Sequence, residues 1–149
     1  MSLRRRELFK LAGAAGLTGL LGRVPGVAAA TRAIAWRNWS GAQNCLPAQR
    51  FAPASEAELG DWLRKARGTV RPVGAGHSFS ALVPTDDSIV SLSRLSGLIR
   101  HDPATLQAEF WAGTPMSQMG APLKKIGQAL VNMADIDYQS LAGAIATST

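Results

Sequence analysis

Residues 71–80 read Arg-Pro-Val-Gly-Ala-Gly-His-Ser-Phe-Ser, and they hold the residue types best suited to chemistry in this chain. Gly74 and Gly76 follow directly on an apolar strand-like run. Without β-carbons, glycines let the main chain approach a ligand closely and turn its N–H groups inward, as loops that cradle phosphate do. His77 sits inside the same loop and adds a nitrogen nucleophile or hydrogen-bonding group that is competent near neutral pH. The glycine spacing also fits a dinucleotide fingerprint, but Phe79 occupies the third glycine position. Pro84 and the Thr85-Asp86-Asp87 turn then stand where that fingerprint needs a helix. A plain tight turn with a hydrogen-bonding histidine is the other reading open to the local sequence.

Other reactive side chains are less promising. His101 precedes Asp102-Pro103 and reads as a solvated turn residue. Asp86, Asp87, Asp135 and Asp137 form two distant pairs with no nearby His or Cys, so they read as loop carboxylates, and no metal site is expected. Cys45 is the only cysteine, which rules out a disulfide within the chain, and it reads as a small half-buried apolar residue.

The elements that must carry the loop follow from periodicity. Residues 31–48 show neither helical nor strand period and read as an extended lead-in with a turn at Ser40-Gly41. Phe51 and Ala52 end a short strand, which Pro53 breaks. Ser55 and Glu58 form a capping box, after which Leu59, Trp62, Leu63 and Ala66 share one helical face up to Gly68. Residues 69–73 are a strand running into the glycine loop, and residues 88–95 are another. Residues 98–99 and 105–112 form an antiparallel pair about the Asp102-Pro103 turn. A helix over 115–126, closed by Gly127, and a small strand at 129–131 complete the order, while 139–149 is small, uncharged and poorly periodic. The fold class is α+β, with small mixed or antiparallel sheets flanked by helices.

Three separated pieces carry a family resemblance. They are Trp36-Arg37-Asn38-Trp39-Ser40-Gly41, then Pro72 through Ser80, and Asn132-Met133-Ala134-Asp135-Ile136-Asp137 running into Gln139-Ser140-Leu141-Ala142-Gly143-Ala144-Ile145-Ala146-Thr147. In order and spacing the chain resembles the FAD-binding (PCMH-type) domain of the vanillyl-alcohol-oxidase superfamily, and more narrowly its aldonolactone oxidase and alditol oxidase branch. The resemblance implies that residues 49–149 are the N-terminal part of such a domain. It also implies that Gly74, Ala75, Gly76, His77 and Ser78 hold the FAD pyrophosphate, with His77 joined through a ring nitrogen to the flavin 8-methyl carbon. Ala142, Gly143, Ala144 and Thr147 would pass close to the flavin, where side chains must be small; a tightly packed small-residue core is the alternative. The expected activity is oxidation of CH–OH groups of a polyol or sugar lactone. The family pattern continues after Ser148-Thr149 with His-Gly, further FAD contacts and a substrate domain. The 149 residues alone are therefore expected to be inactive, and no catalytic residue can be assigned within them. A non-catalytic flavin-binding or interaction module, or a truncated product needing a partner chain, is the second reading.

The leader is informative in a different way. Arg4, Arg5 and Arg6 precede Leu8-Phe9-Lys10 and a weakly apolar run over 11–21, and Ala28-Ala29-Ala30 offers a peptidase site. Residues 1–30 thus read as a twin-arginine signal. The apolar run is short of the roughly 20 residues a spanning helix needs, so membrane contact is expected only through the signal. Export to the periplasm or outside the cell follows, by a route that moves folded, cofactor-loaded proteins. The leader holds five of the 16 basic residues and one of the 10 acidic ones; the remainder carries 11 against nine, a net +2 rather than +6. Such a balance implies no nucleic-acid partner, because nucleic-acid binding needs a clustered basic face.

Overall fold

The computed structural model describes residues 34–149; the segment expected to be an export signal and the first residues of the lead-in lie outside the described residues. The segment 34–48 is a small antiparallel ribbon, β1 (Trp36–Arg37) with β2 (Asn44–Cys45), pairing Trp36 with Cys45 and Arg37 with Asn44. Strands of two residues are too short to display a period, which is why the ribbon was invisible as a pattern. The expected turn at Ser40-Gly41 is its tip, where Gly41 has φ +77°. Cys45 is half-buried, as expected of a small apolar residue.

Next come β3 (Gln49–Phe51), α1 (Glu56–Lys65), β4 (Val70–Val73) and β5 (Ser88–Ser91). The three strands form one parallel sheet in the order β3-β5-β4, with Arg50 and Arg71 both opposite Ile89. The small sheets and the α+β class match the expectation; among the described residues antiparallel pairing occurs in the two-stranded ribbons and in a single bridge between Pro115 and Ser140. Ser88, Ile89 and Val90 are all buried in the central strand, as a strand covered on both faces must be. Pro72 is tolerated because β4 is an edge strand.

Parallel neighbours cannot be joined by a tight turn, so the chain must travel back along the sheet between them. From β3 to β4 this is done by α1. Ser55 Oγ accepts from Glu58 N–H (3.1 Å), and the Glu58 carboxylate accepts from Ala54 N–H (2.6 Å), closing the expected box one residue further out. Trp62 stacks on Phe51 with centroids 4.9 Å apart, whereas Leu63, expected on the inner face, is 46% exposed. The helix ends at Lys65 rather than Gly68. Ala66 is already extended, and Gly68 at φ +71° swings Thr69 N–H onto the Asp87 carboxylate (2.7 Å). From β4 to β5 the return is made by residues 74–87 without regular structure. The glycine loop therefore leaves the sheet at the carboxyl end of a parallel strand, the end at which open α/β sheets hold ligands.

Beyond β5, Leu95 N–H bonds Leu92 carbonyl (2.8 Å), and this turn ends the strand short of the predicted 95. β6 (Leu98–Asp102) and β7 (Gln107–Phe110) form the predicted antiparallel hairpin, with His101 exposed in β6 rather than in the turn. The predicted helix over 115–126 is divided into a 3₁₀ turn (Met116–Gln118) and α2 (Gly120–Lys125). An α-helix continuous through this point would drive the Pro122 ring into the Gln118 carbonyl. Gly127, at φ +69°, follows its end as predicted. No strand forms at 129–131, where Val131 is wholly exposed. Conversely, the aperiodic tail contains a helix, α3 (Leu141–Ala146), started by Ser140. Met116, Met119, Leu123 and Ala144 make the buried core of this half, with Phe110, Ile126 and Leu141 against it.

Candidate functional site

Gly74 to Ser78 are held from one side by the tip of the β1–β2 ribbon. Trp39 N–H donates to Gly76 carbonyl (2.8 Å), Asn38 Nδ2 donates to Ser78 carbonyl (3.1 Å), and Gln43 Nε2 donates to Phe79 carbonyl (3.3 Å). Asn38 is only 3% exposed, and its Oδ1 accepts from Gln43 N–H (3.0 Å) and the Ser40 hydroxyl (3.3 Å). Gly76 takes φ +73°, a conformation in which a β-carbon is strained. The carbonyls of Gly76, Ser78 and Phe79 are thus engaged, while the N–H groups of Ala75, Gly76, His77 and Ser78 donate to no acceptor among the described residues. Four successive main-chain donors without a protein acceptor remain open to solvent or to a ligand, an arrangement suited to an anion.

His77 is half-buried against this surface. Its ring stacks on Trp39, with centroids 5.5 Å apart and planes 23° from parallel. Its Nδ1 is buried and has no hydrogen-bond partner, a polar atom that calls for one.

Two clefts meet along Gly74, Ala75, Ser140 and Gly143. One, about 400 Å³, is lined further by Gly76, His77, Ser78 and Thr147. The other, about 370 Å³, runs between Val73, Leu92, Ala112 and Ala142 to the ring of Tyr138. Neither cleft is lined by an acidic or basic side chain among the described residues, apart from His77, so the donor surface of the loop is electrostatically unopposed.

The structure brings most of the residues singled out in the sequence to this junction. Gly74, Ala75, Gly76, His77 and Ser78 come from the β4 loop, and Ala142, Gly143 and Thr147 from α3. Ala144 is placed elsewhere: its methyl lies in the core beside Met116, Met119 and Leu123, so it supports the cleft from behind. The start of α3 offers no free donors. Leu141 N–H bonds Thr114 carbonyl (2.8 Å), Ala142 N–H bonds Ala112 carbonyl (3.1 Å), and Gly143 N–H bonds Ser140 Oγ (3.3 Å). What α3 supplies is a wall of small side chains. The Thr147 hydroxyl donates back to Gly143 carbonyl (3.0 Å).

Sequence reasoning did not single out Asn38, Trp39, Gly113 or Tyr138 as site residues. For the first two the signal was present in the Trp36–Gly41 piece, without a role attached. Gly113 had no signal at all: a β-carbon there would meet the backbone of Leu92 and Leu95.

A family described as "FAD binding domain" matches residues 47–149. Among curated proteins, the L-gulono-1,4-lactone dehydrogenase of Mycobacterium tuberculosis is 38% identical over 117 residues, covering 76% of this chain and 27% of the relative. The D-arabinono-1,4-lactone oxidase of Eremothecium gossypii is 35% identical over 125 residues, covering 79% and 24%. Among solved structures, cholesterol oxidase from B. sterolicum superposes with a TM-score of 0.62 over 75% of this chain and 23% of that one, at 21% identity, a likeness of fold alone. The chain spans about a quarter of the length of these relatives.

Proposed function

This chain belongs to the FAD-binding domain family, and from that premise we propose that it is the FAD-holding part of an exported oxidoreductase acting on CH–OH groups of sugar lactones or alditols. The observation that carries this reading is the row of free N–H groups over residues 75–78 beside a buried, partnerless His77 Nδ1. A pyrophosphate would accept from the row, and its charge would be met by main-chain dipoles rather than by a lysine or arginine. Gly74 and Gly76 leave room for the close approach. His77 would anchor the group covalently through a ring nitrogen at the flavin 8-methyl carbon, satisfying the orphaned atom and preventing loss of the cofactor. Ala142, Gly143 and Thr147 would border the flavin, with Ala144 packed behind them. When bound, FAD supplies the hydride acceptor and passes the electrons to oxygen or another oxidant. The sugar-lactone substrate class is supported by the named activities of the relatives.

Export by the twin-arginine route, with delivery to the periplasm or exterior, is part of the proposal and rests on Arg4 and Arg5 ahead of Leu8-Phe9-Lys10. The test is to express the full natural reading frame, precipitate with acid, and look for flavin fluorescence on the denatured band. Fluorescence that disappears in His77→Ala, with flavin still bound noncovalently before acid treatment, is expected. Acid-stable flavin in that variant would remove His77 from the attachment, and a protein that takes up no flavin in any form would overturn the whole reading.

A further inference from the structure

We propose that Trp39 is a positioning residue for flavin attachment, the indole setting the plane of the His77 ring while Asn38 holds the main chain beneath it. The inference rests on the reading above that His77 carries the flavin. The lone pair of an imidazole nitrogen lies in the ring plane, so the direction of attack is set by rotation about the side-chain bonds. An aromatic ring stacked on the imidazole face restrains that rotation and leaves the nitrogen-bearing edge clear. Trp39 meets this requirement: its ring lies over His77 at 5.5 Å and 23°. Its main chain is itself fixed, the backbone N–H of Trp39 donating to Gly76 carbonyl, one residue before the histidine. Asn38, buried in the ribbon, holds Ser78 carbonyl, one residue after it. The histidine is therefore restrained on its ring face, at the peptide that precedes it and at the carbonyl of the residue that follows it, all from the adjacent residues Asn38 and Trp39, which reach it across a long chain separation.

Trp39 is 67% exposed, too open for its place to be explained by burial of its own surface. Attachment forms a C–N bond from a His77 ring nitrogen to the 8-methyl carbon and breaks one C–H and one N–H bond. The two electrons and two protons released pass by way of the isoalloxazine to dioxygen, giving hydrogen peroxide. Among these events the tip residues act only on the first, by aiming the nitrogen. Misalignment of a reacting atom by about 1 Å can slow such a step by orders of magnitude.

The test uses the full natural reading frame with Trp39→Phe, Trp39→Leu and Trp39→Ala. For each, total flavin per protein and the acid-stable fraction are measured separately, together with the rate at which apoprotein mixed with FAD gains acid-stable flavin. Phe, which preserves the stack, is expected to attach flavin close to the wild-type rate, while Leu and Ala are expected to keep total flavin but attach it on the order of tenfold more slowly. Attachment at the wild-type rate in Leu and Ala would overturn the proposal. So would loss of total flavin in step with acid-stable flavin, since Trp39 would then support only the loop. Wild-type protein that binds FAD but releases all of it in acid would overturn the His77 attachment itself, and this inference with it, a result seen without any Trp39 variant.

Discussion

Ser140 Oγ occupies the space into which a β-carbon on Gly74 would project. The first glycine of the loop is therefore pressed against the residue that starts α3, and the two halves of the candidate site are joined at this contact. Ser140 Oγ also accepts from Gly143 N–H, so it cannot swing aside without uncapping the helix. Gly74→Ala is expected to cost about 1–3 kcal/mol by overpacking, and Ser140→Ala about 1 kcal/mol by loss of the cap. Combined, the two should cost less than their sum, because removing the hydroxyl vacates the space. Urea unfolding of the four proteins measures this; strict additivity would show that the two residues do not press on one another.

Gly76 makes the complementary prediction. Its φ of +73° strains any residue with a β-carbon, but the nearest atom to such a carbon is Asn38 Cα at an ordinary 3.5 Å. Gly76→Ala should cost about 1–2 kcal/mol from conformation alone, and Gly76→Asn less, because asparagine enters the left-handed region more readily. Equal losses in the two variants, read from thermal unfolding, would point to a steric cause instead.

Gly113 lies against backbone rather than a side chain. A methyl there meets the carbonyls of Leu92 and Leu95, and Gly113 N–H itself bonds Leu95 carbonyl (3.1 Å). Neither partner can rotate away, so Gly113→Ala should destabilise by about 3 kcal/mol. The same shift would distort the apolar cleft, so weaker FAD binding, read by equilibrium dialysis in a His77→Ala background where the cofactor is exchangeable, is expected even at temperatures where the variant is folded.

Asp102 supplies a pH signature remote from the site. The N–H of Ala104 (2.9 Å), then the Thr105 hydroxyl, hold its carboxyl below the usual carboxylate range at the turn of the β6–β7 hairpin. A carboxylate with a lowered folded-state pKa stabilises fully above its unfolded pKa, about 4, and loses that contribution as pH falls through the folded value. Melting temperatures of wild type and Asp102→Asn should therefore differ near neutral pH and converge in acid. A gap that widened on acidification would contradict this assignment.

Local physics made parts of this protein readable in advance. The glycine loop was legible because Val73-Gly74-Ala75-Gly76-His77 places flexible main chain directly after an apolar strand. The Ser55–Glu58 box and the Asp102-Pro103 turn were legible because their bonds join near neighbours. Pro122 could have foretold the break between the 3₁₀ turn and α2, since its clash is with the carbonyl four residues earlier. The helix after Ser140 was harder to see: its residues are small and uncharged, and one buried residue, Ala144, leaves almost no periodic trace. The strand expected at Ala129-Leu130-Val131 failed for the opposite reason, as apolar residues without a partner strand have no ladder to join.

The sequence by itself determined the family and the α+β class, and it singled out the loop proposed to hold a phosphate-bearing cofactor beside a reactive histidine, because all of these reside in residue types at short spacing. Only the tertiary structure decided that β5 inserts between β3 and β4, that Ser140 closes on Gly74, and that Trp39 and Asn38 hold His77. Those relations are long-range contacts between segments that carry no mark of each other. They arise when parallel strands force the chain to return along the sheet, and that return sets the ribbon, the loop and α3 side by side.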